Sequence, residues 1–171
     1  MRLGPEGEVG LITYMRTDSV NLSREFLGAA HGAIGRRFGP QYQLAQPRAY
    51  KTKSKGAQEA HEAIRPTDPN RDPDSIKQHL TPRQFRVYRL IWSRAVATQM
   101  PAAMFDATTA DIDAQGASRR WTFRASGSVL KFDGFMRVWP LANKDVLLPA
   151  LAAGDALALG VYGDVQLLAQ G

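Results

Sequence analysis

The chain has 171 residues, with 22 Lys+Arg against 16 Asp+Glu, a formal net charge of +6, 44% hydrophobic residues and no cysteine. That length and composition suit one large or two small folded domains with a real core, and they exclude a disulfide scaffold, a thiol nucleophile and Cys-ligated zinc. The longest apolar run, residues 146–153, contains Pro149 and is too short to span a bilayer, and residues 1–5 lack the apolar stretch of a signal peptide, so a cytoplasmic chain with no membrane partner is expected.

Taken in chain order, the first predicted element is a helix through Phe26, Leu27, Ala30 and Ile34, capped by Asn21 or Ser23 and ended by Gly39-Pro40. A polar, proline-punctuated stretch follows over residues 41–73, with Lys51, Lys53 and Lys55 in a basic loop. Thr81-Pro82 then puts a capping residue before proline at the first helical position. The segment beyond it carries Phe85, Tyr88, Leu90, Ile91, Trp92, Ala95 and Val96 at helical intervals, with Arg83, Arg86, Arg89 and Arg94 on its other sides. Tyr88 and Trp92 are read as core residues of this helix. After Pro101 the pattern turns to short strands: residues 105–113, then 121–130 paired with 132–139 across a turn, then 156–168 broken by Gly160 and Gly163. The expected fold class is α+β, a helical module over residues 1–100 and an antiparallel β module over residues 101–171.

Charge follows the same division. Residues 1–100 hold 16 Lys+Arg and 9 Asp+Glu, whereas residues 101–171 hold 6 and 7. The basic excess therefore sits wholly in the helical part. It fits either an anionic partner, nucleic acid first among them, or a well-solvated basic surface.

Generic catalytic signatures are weak. His61-Glu62-Ala63-Ile64-Arg65 begins like a zinc helix, but its fifth residue is Arg, and the chain has only three histidines. Asp111 and Asp113 form an acidic pair on one strand face, followed by Gln115 where a third carboxylate would stand; the reading is a solvated strand face rather than a magnesium site. No metal site is assigned within the chain.

Two longer segments are far more specific. Gly10-Leu11-Ile12-Thr13-Tyr14-Met15-Arg16-Thr17-Asp18-Ser19 and Ala57-Gln58-Glu59-Ala60-His61-Glu62-Ala63-Ile64-Arg65-Pro66-Thr67 closely resemble the signature stretches of type IA DNA topoisomerases. Leu90-Ile91-Trp92, Ala97-Thr98-Gln99-Met100 and Phe132-Asp133-Gly134-Phe135 continue the resemblance in the family's order. Met15 after the tyrosine resembles the bacterial topoisomerase I branch.

The resemblance implies a tyrosine that attacks the backbone of single-stranded DNA, forms a 5′-phosphotyrosyl bond, releases a 3′-hydroxyl and reseals the break after strand passage, relaxing negative supercoils. The matching nucleophile is Tyr14. A free phenol ionises near pH 10, so it needs help losing its proton and stabilising phosphate charge. Arg16 matches the arginine that contacts the scissile phosphate, a role suited to a permanently charged bidentate donor. His61 matches a histidine close to bound nucleotide; it either contacts DNA or holds its own loop. Asp18 either orients Arg16 or caps the next helix. Glu59, Glu62 and Arg65 are expected to brace their segment through ion pairs.

By the same resemblance, residues 1–100 form most of a winged-helix-like tyrosine domain, and the remainder forms part of the β-rich gate or hinge domain. The family's Mg2+ site lies in a toprim domain preceding the tyrosine, outside this chain, so no cofactor is expected in the chain itself. The expectation is an internal fragment whose partners are single-stranded DNA and the toprim and remaining domains of the same enzyme. Alone it would bind single-stranded DNA weakly and be inactive. The alternative is a non-catalytic DNA-binding or structural module on the same scaffold.

Overall fold

The computed structural model describes residues 3, 7–17, 19–50, 62–115, 118–141, 154, 157–160 and 166–169. Helix α1 spans Arg24–Phe38. Of the two capping candidates Ser23 is the cap, its Oγ accepting from the Phe26 N–H at 3.3 Å. Asn21 is engaged elsewhere: its carbonyl accepts from the Ala63 N–H at 2.8 Å. The helix ends at Gly39, whose φ of 100° lies in the left-handed region that a side chain disfavours. Arg36 and Arg37 in the last turn complement the partial negative charge there.

Helix α2 spans Pro82–Thr98 and begins with a capping box: the Gln84 N–H donates to Thr81 Oγ1, and the Thr81 N–H donates back to Gln84 Oε1. Its buried stripe is Tyr88, Trp92, Ala95 and Val96. Ala95 meets Phe26 and Ala30 of α1 in the core, with Leu22 packed against them. Fully burying a side chain such as Phe26 contributes roughly 1.5–3 kcal/mol. The aromatic tips of α2 hold the preceding loop: Tyr88 Oη donates to the Arg71 carbonyl at 2.6 Å and Trp92 Nε1 to the Pro69 carbonyl at 2.9 Å. Both rings are thus core residues, as their spacing implied.

Strands β1, Met104–Gln115, and β2, Arg120–Phe132, form an antiparallel ribbon. This differs from the expected pairing of residues 121–130 with 132–139. The reason is local. Gly134 takes φ +48°, and a Cβ there would stand 2.5 Å from the carbonyl oxygens of Pro101 and Ala102. The Phe135 N–H donates to the Pro101 carbonyl at 2.9 Å, and residues Gly134–Arg137 wind into a 3-10 turn. Asp133-Gly134 therefore redirects the chain rather than opening a second hairpin. Strands β3, Leu157–Gly160, and β4, Gln166–Ala169, form a separate antiparallel pair within the stretch expected to carry further β structure. The class is α+β with antiparallel sheets.

The chain divides into two compact units. One comprises Met1–Ala102 and Asp133–Leu141, the other Ala103–Phe132 and Ala142–Gly171. Within the first, Tyr42 Oη donates to Asp133 Oδ1 at 2.6 Å and the Arg94 guanidinium lies 5.3 Å from the Trp139 ring centroid, so the returning segment is anchored at both ends. No helix among the described residues is long and apolar enough to cross a membrane.

Candidate active site

The two signature segments, about fifty residues apart in sequence, meet as a short antiparallel pair. Ile12 bridges Pro66, the Thr13 N–H donates to the Arg65 carbonyl at 2.9 Å, and the Thr67 N–H donates to the Leu11 carbonyl at 3.0 Å. Side chains reinforce the pairing. Thr13 Oγ1 accepts from the Arg65 N–H and donates to the Ala63 carbonyl, both at 3.0 Å, while Thr67 Oγ1 donates to the Gly10 carbonyl at 2.6 Å.

Tyr14 follows the last paired residue. It is 68% exposed, with Met15 at 69% and Arg16 also exposed. The Tyr14 ring thus stands outside the core, beside a fixed β segment. Tyr14 and Arg16 are therefore presented by the same short extended stretch. His61 and Asp18 lie outside the described residues, as do Glu59, Lys51, Lys53 and Lys55.

The second segment is locked by Arg65. Its Nε donates to Glu62 Oε2 at 2.9 Å, its Nη2 forms a further close contact with the same oxygen, and its Nη1 donates to the Pro66 carbonyl at 3.0 Å. The guanidinium also lies 4.6 Å from the Phe26 ring centroid. It therefore ties the motif to α1 and its cap. Burial pushes the Glu62 carboxyl up, but hydrogen bonds from Ser23 and Arg65 and the adjacent guanidinium charge outweigh it and hold the group below its ordinary range. Arg65 and Glu62 brace the loop, the role expected of them; Ser23, legible in the sequence only as a cap candidate, and Thr13, legible only as part of its motif, complete the brace with partners too remote in sequence for that role to be read.

The Asp111/Asp113 pair behaves as a strand face. Arg124 binds Asp111 in a fork, with Nε to Oδ1 at 2.7 Å and Nη2 to Oδ2 at 3.0 Å, and Thr122 Oγ1 donates to Asp113 at 2.8 Å. The register sets Asp111 opposite Arg124 and Asp113 opposite Thr122, and Ile112 opposite Phe123 on the other face. A carboxylate already satisfied by a bidentate arginine is a poor magnesium ligand, and among the described residues no group of three His, Cys, Asp or Glu could hold a metal ion. These residues do not fit the family's magnesium.

A family model described as DNA topoisomerase matches residues 7–164. The chain is 41% identical over 155 residues to DNA topoisomerase 1 of Helicobacter pylori, covering 91% of this chain and 20% of the relative. Against DNA topoisomerase 1 of Xylella fastidiosa identity is 46% over 137 residues, covering 80% and 16%. Full-length topoisomerase I from Thermotoga maritima superposes with a TM-score of 0.68 at 29% identity, over 87% of this chain and 23% of that one. The chain thus spans about a fifth of the length of its relatives.

Proposed function

The chain belongs to the DNA topoisomerase family, and from that membership we propose that it carries the nucleophile of an isomerase that cleaves and reseals single-stranded DNA. Tyr14 Oη attacks the scissile phosphorus. The new P–Oη bond forms as the bond to the 3′ oxygen breaks; the phenolic proton leaves, and the departing oxygen ends as a 3′-hydroxyl. The reverse attack by that hydroxyl restores the strand and the phenol, so phosphodiester energy is conserved and no ATP is needed. Between the two steps another strand passes, which relaxes negative supercoils.

Arg16 serves as the phosphate-oxygen donor two residues on, and His61 as a further contact to the bound strand. Developing negative charge is stabilised chiefly by groups fixed beforehand around the phosphate. The magnesium of the complete reaction supplies charge neutralisation from the toprim domain, not from residues of this chain. The isolated chain accordingly binds single-stranded DNA weakly and lacks activity until that domain is supplied.

The observation that carries this reading is the exposed Tyr14 immediately beyond the Thr13–Arg65 pairing, where two family motifs join. The test is to mix the chain with labelled single-stranded DNA, Mg2+ and a separately prepared toprim-containing portion of the enzyme. A denaturation-resistant DNA–protein adduct is expected only in the complete mixture and is abolished by Tyr14→Phe. DNA binding with no adduct in any mixture would instead make the chain a non-catalytic DNA-binding module.

A further inference from the structure

A cavity of about 190 Å³ opens between residues 20–22, which lead into α1, and the segment Arg48-Ala49-Tyr50. Leu22, Leu27 and Ala49 give it apolar walls, and Asn21, Arg48 and Tyr50 supply its polar groups. No carboxylate among the described residues lines it. Apolar walls carrying a few polar groups are the usual make-up of a ligand site.

Both walls are fixed. Ala97-Thr98-Gln99-Met100, at the end of α2, grips the second of them. Gln99 Oε1 accepts from the Arg48 N–H and Gln99 Nε2 donates to the Arg48 carbonyl, both at 3.1 Å, and the Thr98 carbonyl accepts from Tyr50 Oη at 3.2 Å. Gln99 is buried, so this wall is held from the core. The first wall is tied to the two signature segments. The Asn21 carbonyl accepts from the Ala63 N–H at 2.8 Å, and the Ala63 carbonyl accepts from Thr13 Oγ1 at 3.0 Å. One residue, Ala63, thus links the cavity wall at Asn21 to Thr13, the neighbour of Tyr14.

The side chains are left open where the backbone is fixed. Among the described residues the Asn21 amide and the Arg48 guanidinium have no partner, and both residues are exposed. The Tyr50 ring is 40% exposed although its hydroxyl is bonded, so its pose is set before any ligand arrives. A fixed aromatic face, an amide with both donor and acceptor, and a permanent cation match the face, the edge and the phosphate of a nucleotide.

We propose that this cavity is a base-recognition subsite, taking one nucleobase of the single strand whose phosphate Tyr14 attacks. The inference rests on the DNA reading above and deepens it. The base stacks on Tyr50, Arg48 pairs with an adjoining phosphate, and Asn21 reads the base edge. The asparagine amide sets an acceptor beside a donor, the pattern that complements the N6 amino group and N7 of adenine. Adenine is therefore the favoured occupant.

The test measures fluorescence anisotropy of the unaltered 171-residue chain with a short thymidine oligonucleotide and with the same strand carrying one central adenine, over a salt series. The adenine strand binds about tenfold more tightly, and Asn21→Leu equalises the two. Tyr50→Leu weakens the adenine strand about tenfold, the contribution of one base stack. Tyr50→Phe, which keeps the ring and loses only the bond to Thr98, retains most of the affinity. Arg48→Gln lowers the log–log salt slope by about 0.7. All three residues are exposed, and circular dichroism checks that each variant keeps its helix content. Equal binding of the two strands by the unaltered chain, or an adenine preference that survives Asn21→Leu, overturns the subsite and leaves the DNA reading standing. A loss in Tyr50→Phe as large as in Tyr50→Leu overturns the stacking role, and an unchanged slope in Arg48→Gln overturns the phosphate contact. No binding of either strand by the unaltered chain overturns the DNA reading and this inference together.

Discussion

Thr13 and Arg65 exchange two hydrogen bonds across 52 residues of sequence: the Thr13 N–H reaches the Arg65 carbonyl at 2.9 Å, and the Arg65 N–H reaches Thr13 Oγ1 at 3.0 Å. This contact sets where Tyr14 leaves the fold. Thr13→Val keeps the side-chain shape but strands the Arg65 N–H in a part-buried site, so it should destabilise the chain by about 1–3 kcal/mol. Thr13→Ser should recover most of that loss. Chemical denaturation of the two variants measures the difference, and equal midpoints would show the hydroxyl to be dispensable.

Arg65 is an architectural residue in this account rather than a DNA contact. Lysine at this position keeps the charge and loses both the fork onto Glu62 and the stacking over Phe26. Arg65→Lys should lower stability by about 1–3 kcal/mol while the salt slope for DNA stays as it was. Arg65→Gln removes the charge, and a fall of one phosphate's worth in the slope of that variant would move Arg65 into the binding surface.

Glu62 makes the same brace sensitive to acid. Its folded-state carboxyl ionises below the ordinary value of 4.5, so its contribution is fully present above that pH and is lost as pH falls through the lowered value. Glu62→Gln should flatten this part of the stability profile below about pH 4.5. A variant whose acid limb matches that of the unaltered chain would contradict the assignment.

Tyr42 and Tyr88 predict an alkaline limb of opposite sign. The hydrogen bond to Asp133, helped by burial and the carboxylate's charge, raises the Tyr42 phenol, and burial raises that of Tyr88 more strongly. Both favour the protonated form in the folded state, so their contribution holds below the ordinary value of 10.0 and is lost as pH climbs past it. Tyr42→Phe should loosen the Asp133–Leu141 segment against the rest of the first unit, seen as faster amide exchange there at neutral pH and a weaker dependence on alkali. Exchange unchanged in that segment would show the Tyr42–Asp133 bond does not anchor it.

Asp111→Asn/Asp113→Asn should leave Mg2+ binding by the chain unchanged in calorimetric titration, because both carboxylates serve the Arg124 and Thr122 cross-strand pairs. A loss of measurable Mg2+ binding in the double variant would make the pair a metal site after all.

How much of this was legible in the sequence depends on the range of the interaction. The cap at Thr81, the glycine stop at Gly39 and the buried stripes of α1 and α2 are set within a few residues and are legible in the pattern, whereas at α1 the pattern offers both Asn21 and Ser23 and only the structure selects Ser23. Strands over 105–113 and 121–130 are legible in the sequence but their pairing with each other is not: the pattern points to a hairpin of 121–130 with 132–139, while the positive φ of Gly134 and its close approach to the Pro101 carbonyl turn the chain back to the helical unit. The joining of the two motifs at Thr13 and Arg65 depends on closing a loop of about fifty residues, for which no periodicity gives a sign. Tyr14 itself carries no local mark of reactivity; only the long flanking motifs distinguish it from a structural tyrosine.

The most direct measurement is to trap the adduct in the complemented mixture, digest it with trypsin and locate the nucleotide by mass spectrometry. Tyr14 is the only tyrosine of the tryptic peptide from Leu3 to Arg16. A 5′-phosphate ester is expected on that residue and no other. A nucleotide on any other side chain, or an adduct that survives Tyr14→Phe, would contradict it.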